Sequence, residues 1–178
     1  MSLRKNTKRY GSLSIGLHWV MLLLLAAVYA CMELRGYFPN VSVPRAWHFM
    51  LGLTFFALVV VRLMVRMTTS PPPIKPNPPK LQTLSARLVQ IGLYVLMIGM
   101  PLAGWLLLSA SGKPIPFFGL HLPALISKSQ DMAEFIQIIH ETGGTAGYFL
   151  IGLHTVAALY HHYVVRDNTL LRMLPAGA

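Results

Sequence analysis

Four long apolar runs alternate with polar segments along this chain, and that alternation predicts four membrane-spanning helices. The runs cover about residues 13–32, 46–65, 88–109 and 135–165. Each reaches the roughly 20 residues that carry an α-helix across a bilayer core. The segment from Glu33 to Arg45 holds Gly36, Pro39 and Pro44 and reads as a short loop. The segment SPPPIKPNPPK, residues 70–80, contains six prolines; it excludes helix and reads as a stiff, extended polyproline connector. Pro101 and Gly104 lie inside the third run and predict a kink near Met97–Pro101. Residues 110–134 form the longest loop, with Gly112-Lys113-Pro114 inside it, and a polar tail follows Arg166. The fold class expected is an all-α membrane protein, a four-transmembrane-helix bundle in one domain over residues 1–178.

Composition agrees with that pattern. Of 178 residues, 54% are hydrophobic and only 11% charged, with a mean hydropathy of +0.56. The net charge of +10 would suggest nucleic acid in a soluble protein, but here the cations flank the apolar runs. Four spans put both termini on one side, with Arg4, Lys5, Lys8, Arg9, Arg62, Arg66, Lys75, Lys80, Arg87, Arg166 and Arg172. The opposite side has Arg35, Arg45, Lys113 and Lys128. The positive-inside rule then places both termini in the cytoplasm, and nucleic acid loses its support as a partner. Cys31 is the one cysteine, so there is no intrachain disulfide and no C-x-x-C-H for covalent haem attachment. Cys31 also follows a basic start and an apolar run, as at a lipoprotein cleavage site. Cleavage there would discard His18 and a helix that a polytopic bundle needs.

Ionisable residues inside apolar spans are costly and mark function. The last run contains His140 and His154, fourteen residues apart. That separation is nearly four helical turns, so both lie on one face, roughly 21 Å apart along the axis. His18 lies a turn or more inside the cytoplasmic end of the first helix, and His48 near the outer end of the second. Two pairs therefore share a membrane depth: His48 with His140 outside, and His18 with His154 inside. This is the layout of two stacked haems, each held by two imidazoles as axial iron ligands, an arrangement suited to electron transfer. Gly143, Gly144, Gly147 and Gly152, and likewise Gly16 and Gly52, would leave room for flat rings, although tight helix packing uses glycine too. A membrane histidine can also serve only as a hydrogen-bond partner to a neighbouring helix. Zinc would need four ligands at one level. His161 stands as an alternative partner for His18 or as a polar anchor at the interface. His162 and His121 have no assigned role.

The residues resemble those of the bacterial cytochrome b561 family of small four-helix di-haem membrane cytochromes. The likeness runs from about Tyr10 to Pro175. It rests on Leu17-His18-Trp19, on Met32-Glu33-Leu34-Arg35-Gly36-Tyr37-Phe38-Pro39, on His48, on Val61-Arg62-Leu63, on the proline-rich connector, on Gly112-Lys113-Pro114, on His140, and above all on GYFLIGLHTVAALYHHYVVRDNTLLRMLP. The resemblance implies two haem b, with His18, His48, His140 and His154 as the iron ligands. It implies a multi-pass protein of the bacterial inner membrane that moves electrons from the periplasmic face to the quinone pool, oxidising superoxide to dioxygen and reducing ubiquinone. On that reading Arg35 and Lys113 would attract the superoxide anion, Arg62 would hold a haem propionate or anchor the inner face, and Lys75 and Lys80 would lie near the quinone. Where many relatives carry a histidine early in the third helix, this chain has Arg87 and Gln90. Two other readings remain: a haem-b electron-transfer subunit serving a separate dehydrogenase, which could dock on residues 110–134, and a non-redox scaffold or transporter.

Overall fold

A computed structural model describes residues 9–175; the basic residues Arg4, Lys5 and Lys8 lie outside them. Four long helices run antiparallel: α1, Ser12–Glu33; α2, Ser42–Thr68; α3, Lys80–Ala110; and α4, Gln130–Tyr160. α1, α2 and α3 are each long and apolar enough to cross a membrane. α4 is as long as α3 and packs along it, so it traverses the same thickness, although Glu134, His140 and Glu141 make it less apolar.

The helices outrun the apolar runs. α2 starts at Ser42, α3 at Lys80 and α4 at Gln130. Hydropathy marks the lipid-matched part of a helix, whereas the hydrogen-bonded ladder continues until a cap or breaker stops it. The Ser129 hydroxyl caps α4 by accepting from the Met132 N–H, with Asp131 in the first turn, where the helix dipole favours it. Pro79 precedes α3, and its carbonyl accepts from Thr83. α3 continues through Pro101, which has no N–H to give to the turn before it.

The core is thin. Met21, Phe55 and Val59 bury together at mid-bundle, with Tyr94 and Met97 against them. Leu53, Leu108 and Ile115 form a second cluster, and Ala110, Ala133 and Ile136 a third. Large apolar side chains instead cover the outside: Leu23, Met67, Leu81 and Phe149 are each at least 70% exposed. Such a surface is stable against lipid tails, which are as apolar as the side chains. The chain is an integral membrane protein. α1 packs along α2 and α3 along α4, with a smaller seam between α2 and α3. Among the described residues α1 and α4 do not pack along one another, which leaves a gap between them.

Each end of the bundle has its own cap. The loop expected at 110–134 contains a two-stranded antiparallel hairpin, β1 (Ile115–Phe117) and β2 (Leu120–Leu122). Phe118 and Gly119 turn it, both at positive φ, as tight two-residue hairpins require. The Trp105 indole N–H donates to the Pro123 carbonyl and the Leu125 N–H to the Ser109 hydroxyl, tying this segment to α3. At the other end, α4 passes into a π turn, His161–Val165, and the chain folds back. There Arg172 donates to the Pro72 carbonyl, the Trp19 indole to the Met173 carbonyl, and Tyr10 N–H to the Arg172 carbonyl. The proline connector, both described termini and α1 thus meet at this terminal end, opposite the hairpin end.

Candidate functional site

Four span histidines come together in two pairs, His48 of α2 with His140 of α4 and His18 of α1 with His154 of α4. At the hairpin end, the His48 and His140 ring centres lie 6.1 Å apart at an interplanar angle of 82°. At the terminal end, His18 and His154 lie 6.4 Å apart at 77°. A metal–imidazole bond is about 2 Å long and a ring centre lies about 1 Å behind its nitrogen, so two imidazoles on opposite sides of one metal ion have centres about 6 Å apart. Both pairs fit a group ligated axially by two histidines. Among the described residues, no three His, Cys, Asp or Glu side chains converge as a zinc site would need.

The hairpin-end pair stands in a cavity of about 470 Å³, within the range of cofactor clefts. All four helices line it, with Val28 and Tyr29 from α1, Phe49 and Gly52 from α2, Met97 and Gly104 from α3, and Gly144 from α4; Ile115 of β1 closes it. His48 Nδ1 lies 3.0 Å from the Val28 carbonyl. A carbonyl can only accept, so Nδ1 carries the proton and Nε2 keeps its lone pair for a ligand. His140 packs edge-on against Gly104, where an added Cβ would sit 3.3 Å from its Cε1. The His140 Nδ1 is buried without a hydrogen bond of normal geometry, an exposed cost that ordered structures rarely leave.

The terminal-end pair is more open. His18 is half-buried and His154 exposed on the face of α4. Arg62 on α2 donates to the Ser14 carbonyl at 3.1 Å, one turn from His18.

The glycines divide in a way their positions in the sequence do not show. A side chain at Gly143 would collide with Met100, and one at Gly147 with the Tyr29 hydroxyl. Those two glycines admit neighbouring side chains from α3 and α1, and the room expected for a flat ring is filled there. Gly52 and Gly144 do border the cavity, and Gly16 and Gly152 have open space beside them.

Arg35, in the 3₁₀ turn after α1, lines the cavity and donates to the Met32 carbonyl at 2.7 Å. Lys113 is exposed in the turn before β1 and does not line it. His121 is exposed opposite Pro116 in the hairpin. His161 has both ring nitrogens engaged: Nδ1 lies 2.5 Å from the Asp167 carboxylate and Nε2 3.1 Å from the Gln82 amide. Asp167 is 5% exposed. Burial alone would push its carboxyl up, but the His161 hydrogen bond and those from Thr169 outweigh it and hold the pKa below the usual value. Lys75 is exposed and joined through its backbone to Asn168, and Lys80 is exposed at the start of α3.

Tyr29, Glu33 and Tyr148 are among the lining residues that carried no expected role. The Tyr29 hydroxyl donates to the Gly144 carbonyl at 2.9 Å, and the Tyr148 hydroxyl to Glu33 at 2.7 Å. The two rings lie 4.5 Å apart. Together they bridge α1 and α4 where the helices themselves stand apart. Their spacing was the available signal, since Tyr29 and Glu33 are one turn apart on α1.

Along nearly its whole length the chain is similar in sequence to known proteins. Residues 9–176 match the family described as prokaryotic cytochrome b561. The chain is 41% identical over 171 residues to cytochrome b561 homolog 1 of Escherichia coli, covering 94% of this chain and 97% of that protein. It is 36% identical over 170 residues to a Yersinia pestis protein named probable superoxide oxidase CybB, with the same coverages. It is 29% identical over 182 residues to cytochrome b561 homolog 2 of Escherichia coli, covering 98% and 95%.

Proposed function

The chain belongs to the prokaryotic cytochrome b561 family, an electron-transfer family, and from that premise we propose that it takes electrons from superoxide at the hairpin end and delivers them to ubiquinone at the terminal end. The separation of each histidine pair carries this reading. His48 with His140, and His18 with His154, are spaced to hold one haem b each. Haem b supplies a one-electron ferric–ferrous couple when bound. Held between two imidazoles, such a group would supply electron transfer rather than oxygen binding. The Val28 carbonyl fixes the His48 tautomer, and Gly104 gives His140 its place.

Each superoxide gives up one electron and leaves as dioxygen, so no general base is needed. The name of the Yersinia pestis relative supports this donor. The hairpin end has four acidic residues, Glu33, Asp131, Glu134 and Glu141, against four basic ones. No broad positive field is available there, and attraction of the anion falls to Arg35 at the cavity wall. The excess of Lys and Arg at the terminal end supports a cytoplasmic location for it. A quinone takes up protons with its electrons, and the buried His161–Asp167 pair can hold one beside that aqueous face. Lys75 and Lys80 lie at the same end.

A second reading has its own observation. Phe118 and Leu120 at the hairpin tip are 55% and 66% exposed, beside Trp47, an apolar surface where a separate dehydrogenase could dock. Superoxide pulses to the purified protein with a soluble quinone analogue separate the two. The proposal requires haem reduction and quinone reduction in proportion to superoxide consumed. Haems that superoxide leaves oxidised, while a dehydrogenase reduces them, establish the carrier role instead.

A further inference from the structure

We propose that charge placement along the bundle axis orders the two sites in electron affinity: Glu33 and Glu141 lower it at the hairpin end, and Arg62 raises it at the terminal end. This rests on the two-site reading above and adds a direction to it.

The hairpin-end cavity has two carboxylates and one guanidinium in its wall, Glu33, Glu141 and Arg35. The carboxylates are held in place. Tyr148 donates to Glu33 at 2.7 Å, and the Gln137 amide to Glu141 at 2.8 Å. Arg35 offsets one of them, so the wall stays net negative. At the terminal end the Arg62 guanidinium is anchored on the Ser14 carbonyl, one turn before His18. The one acidic residue at that end, Asp167, is turned to His161 and Thr169.

An electron added beside a carboxylate is disfavoured, and one added beside a guanidinium is favoured. Both effects are Coulombic, and they act here although Glu33 and Glu141 keep exposed surface. The two ends have opposite signs, so their effects on the difference between sites add. The electron is therefore better held at the terminal end, which matches a donor outside and a quinone acceptor inside. Tyr148 acts as a positioning residue, because its hydroxyl keeps the Glu33 carboxylate against the wall.

Potentiometric titration of the purified haem-loaded protein, read by absorbance, tests this. His140→Ala identifies the hairpin-end centre by removing it. Glu33→Gln should raise electron affinity at that centre about tenfold, a 59 mV rise for a one-electron couple, and leave the other nearly in place. Arg62→Gln should lower the terminal-end midpoint comparably, and Arg62→Lys should restore it. If Arg62→Gln fails to assemble, Glu33→Gln carries the test. The proposal is overturned if the terminal-end centre has the lower midpoint in the unaltered protein, if Glu33→Gln moves neither centre, or if Arg62→Lys behaves like Arg62→Gln. A protein that lacks two distinct haems defeats the two-site reading itself. Two haems with unresponsive midpoints defeat only the ordering by charge.

Discussion

His48 on α2 and His140 on α4 face each other across a gap between helices, ring centres 6.1 Å apart, with the His48 Nδ1 committed to the Val28 carbonyl. α1 therefore contributes to this site without supplying a ligand. Its backbone selects the nitrogen that His48 presents, and its Tyr29 and Glu33 reach α4.

The link through Tyr29 is testable by crowding. Gly147→Ala places a methyl group against the Tyr29 hydroxyl, and overpacking of this kind costs about 1–3 kcal/mol. Thermal unfolding in detergent should show the loss. Adding Tyr29→Phe, which removes the obstructing oxygen, should recover part of it. Equal losses in the single and double variants would contradict the contact.

His161 is held by Asp167 and Gln82 through both ring nitrogens. His161→Ala should leave the haem-to-protein ratio unchanged, and His154→Ala should reduce it by one haem. The pyridine haemochrome assay distinguishes them, and haem loss in His161→Ala would reinstate that residue as a ligand.

The Asp167 carboxyl titrates below its usual 3.8 in the folded protein. A group with a depressed folded pKa adds stability that is fully present above its unfolded pKa and fades as pH falls through the folded value. Thermal stability should therefore hold from neutral pH down to about 4 and drop below it. Asp167 faces His161, Thr169 and Arg172. Asp167→Asn should lower stability at neutral pH and weaken the acid drop, measured as melting temperature against pH. An unchanged acid limb would show that other carboxylates set it.

Fusion of a reporter after Pro175 tests the orientation. An alkaline phosphatase fusion should be inactive and a fluorescent protein fusion bright, as for a cytoplasmic C-terminus. The reverse pattern would invert the direction of electron flow.

The pairing of His48 with His140 and of His18 with His154 was legible in the sequence because antiparallel helices convert chain position into depth. What depth cannot supply is the rotation of each helix. Tyr29 and Glu33, one turn apart, mark a polar edge on the otherwise apolar α1, but nothing in its pattern says that this edge turns toward α4. Without the rotation, Gly143 and Gly147 suit either a flat ring or close helix packing, and Met100 and Tyr29 occupy the space beside them. The clasp of the tail on the connector was hidden for a different reason. It is built on backbone carbonyls, at Pro72 and Lys75, as the tail's contact with α1 is built on that of Met173, and every residue has one.

The haem content of the purified protein tests the central claim most directly, read as a reduced-minus-oxidised spectrum with a haem-to-protein ratio. Two b-type haems per chain, with His140→Ala and His18→Ala each removing a different one, is the result expected. One haem per chain, or both variants removing the same one, would contradict the two paired histidine sites.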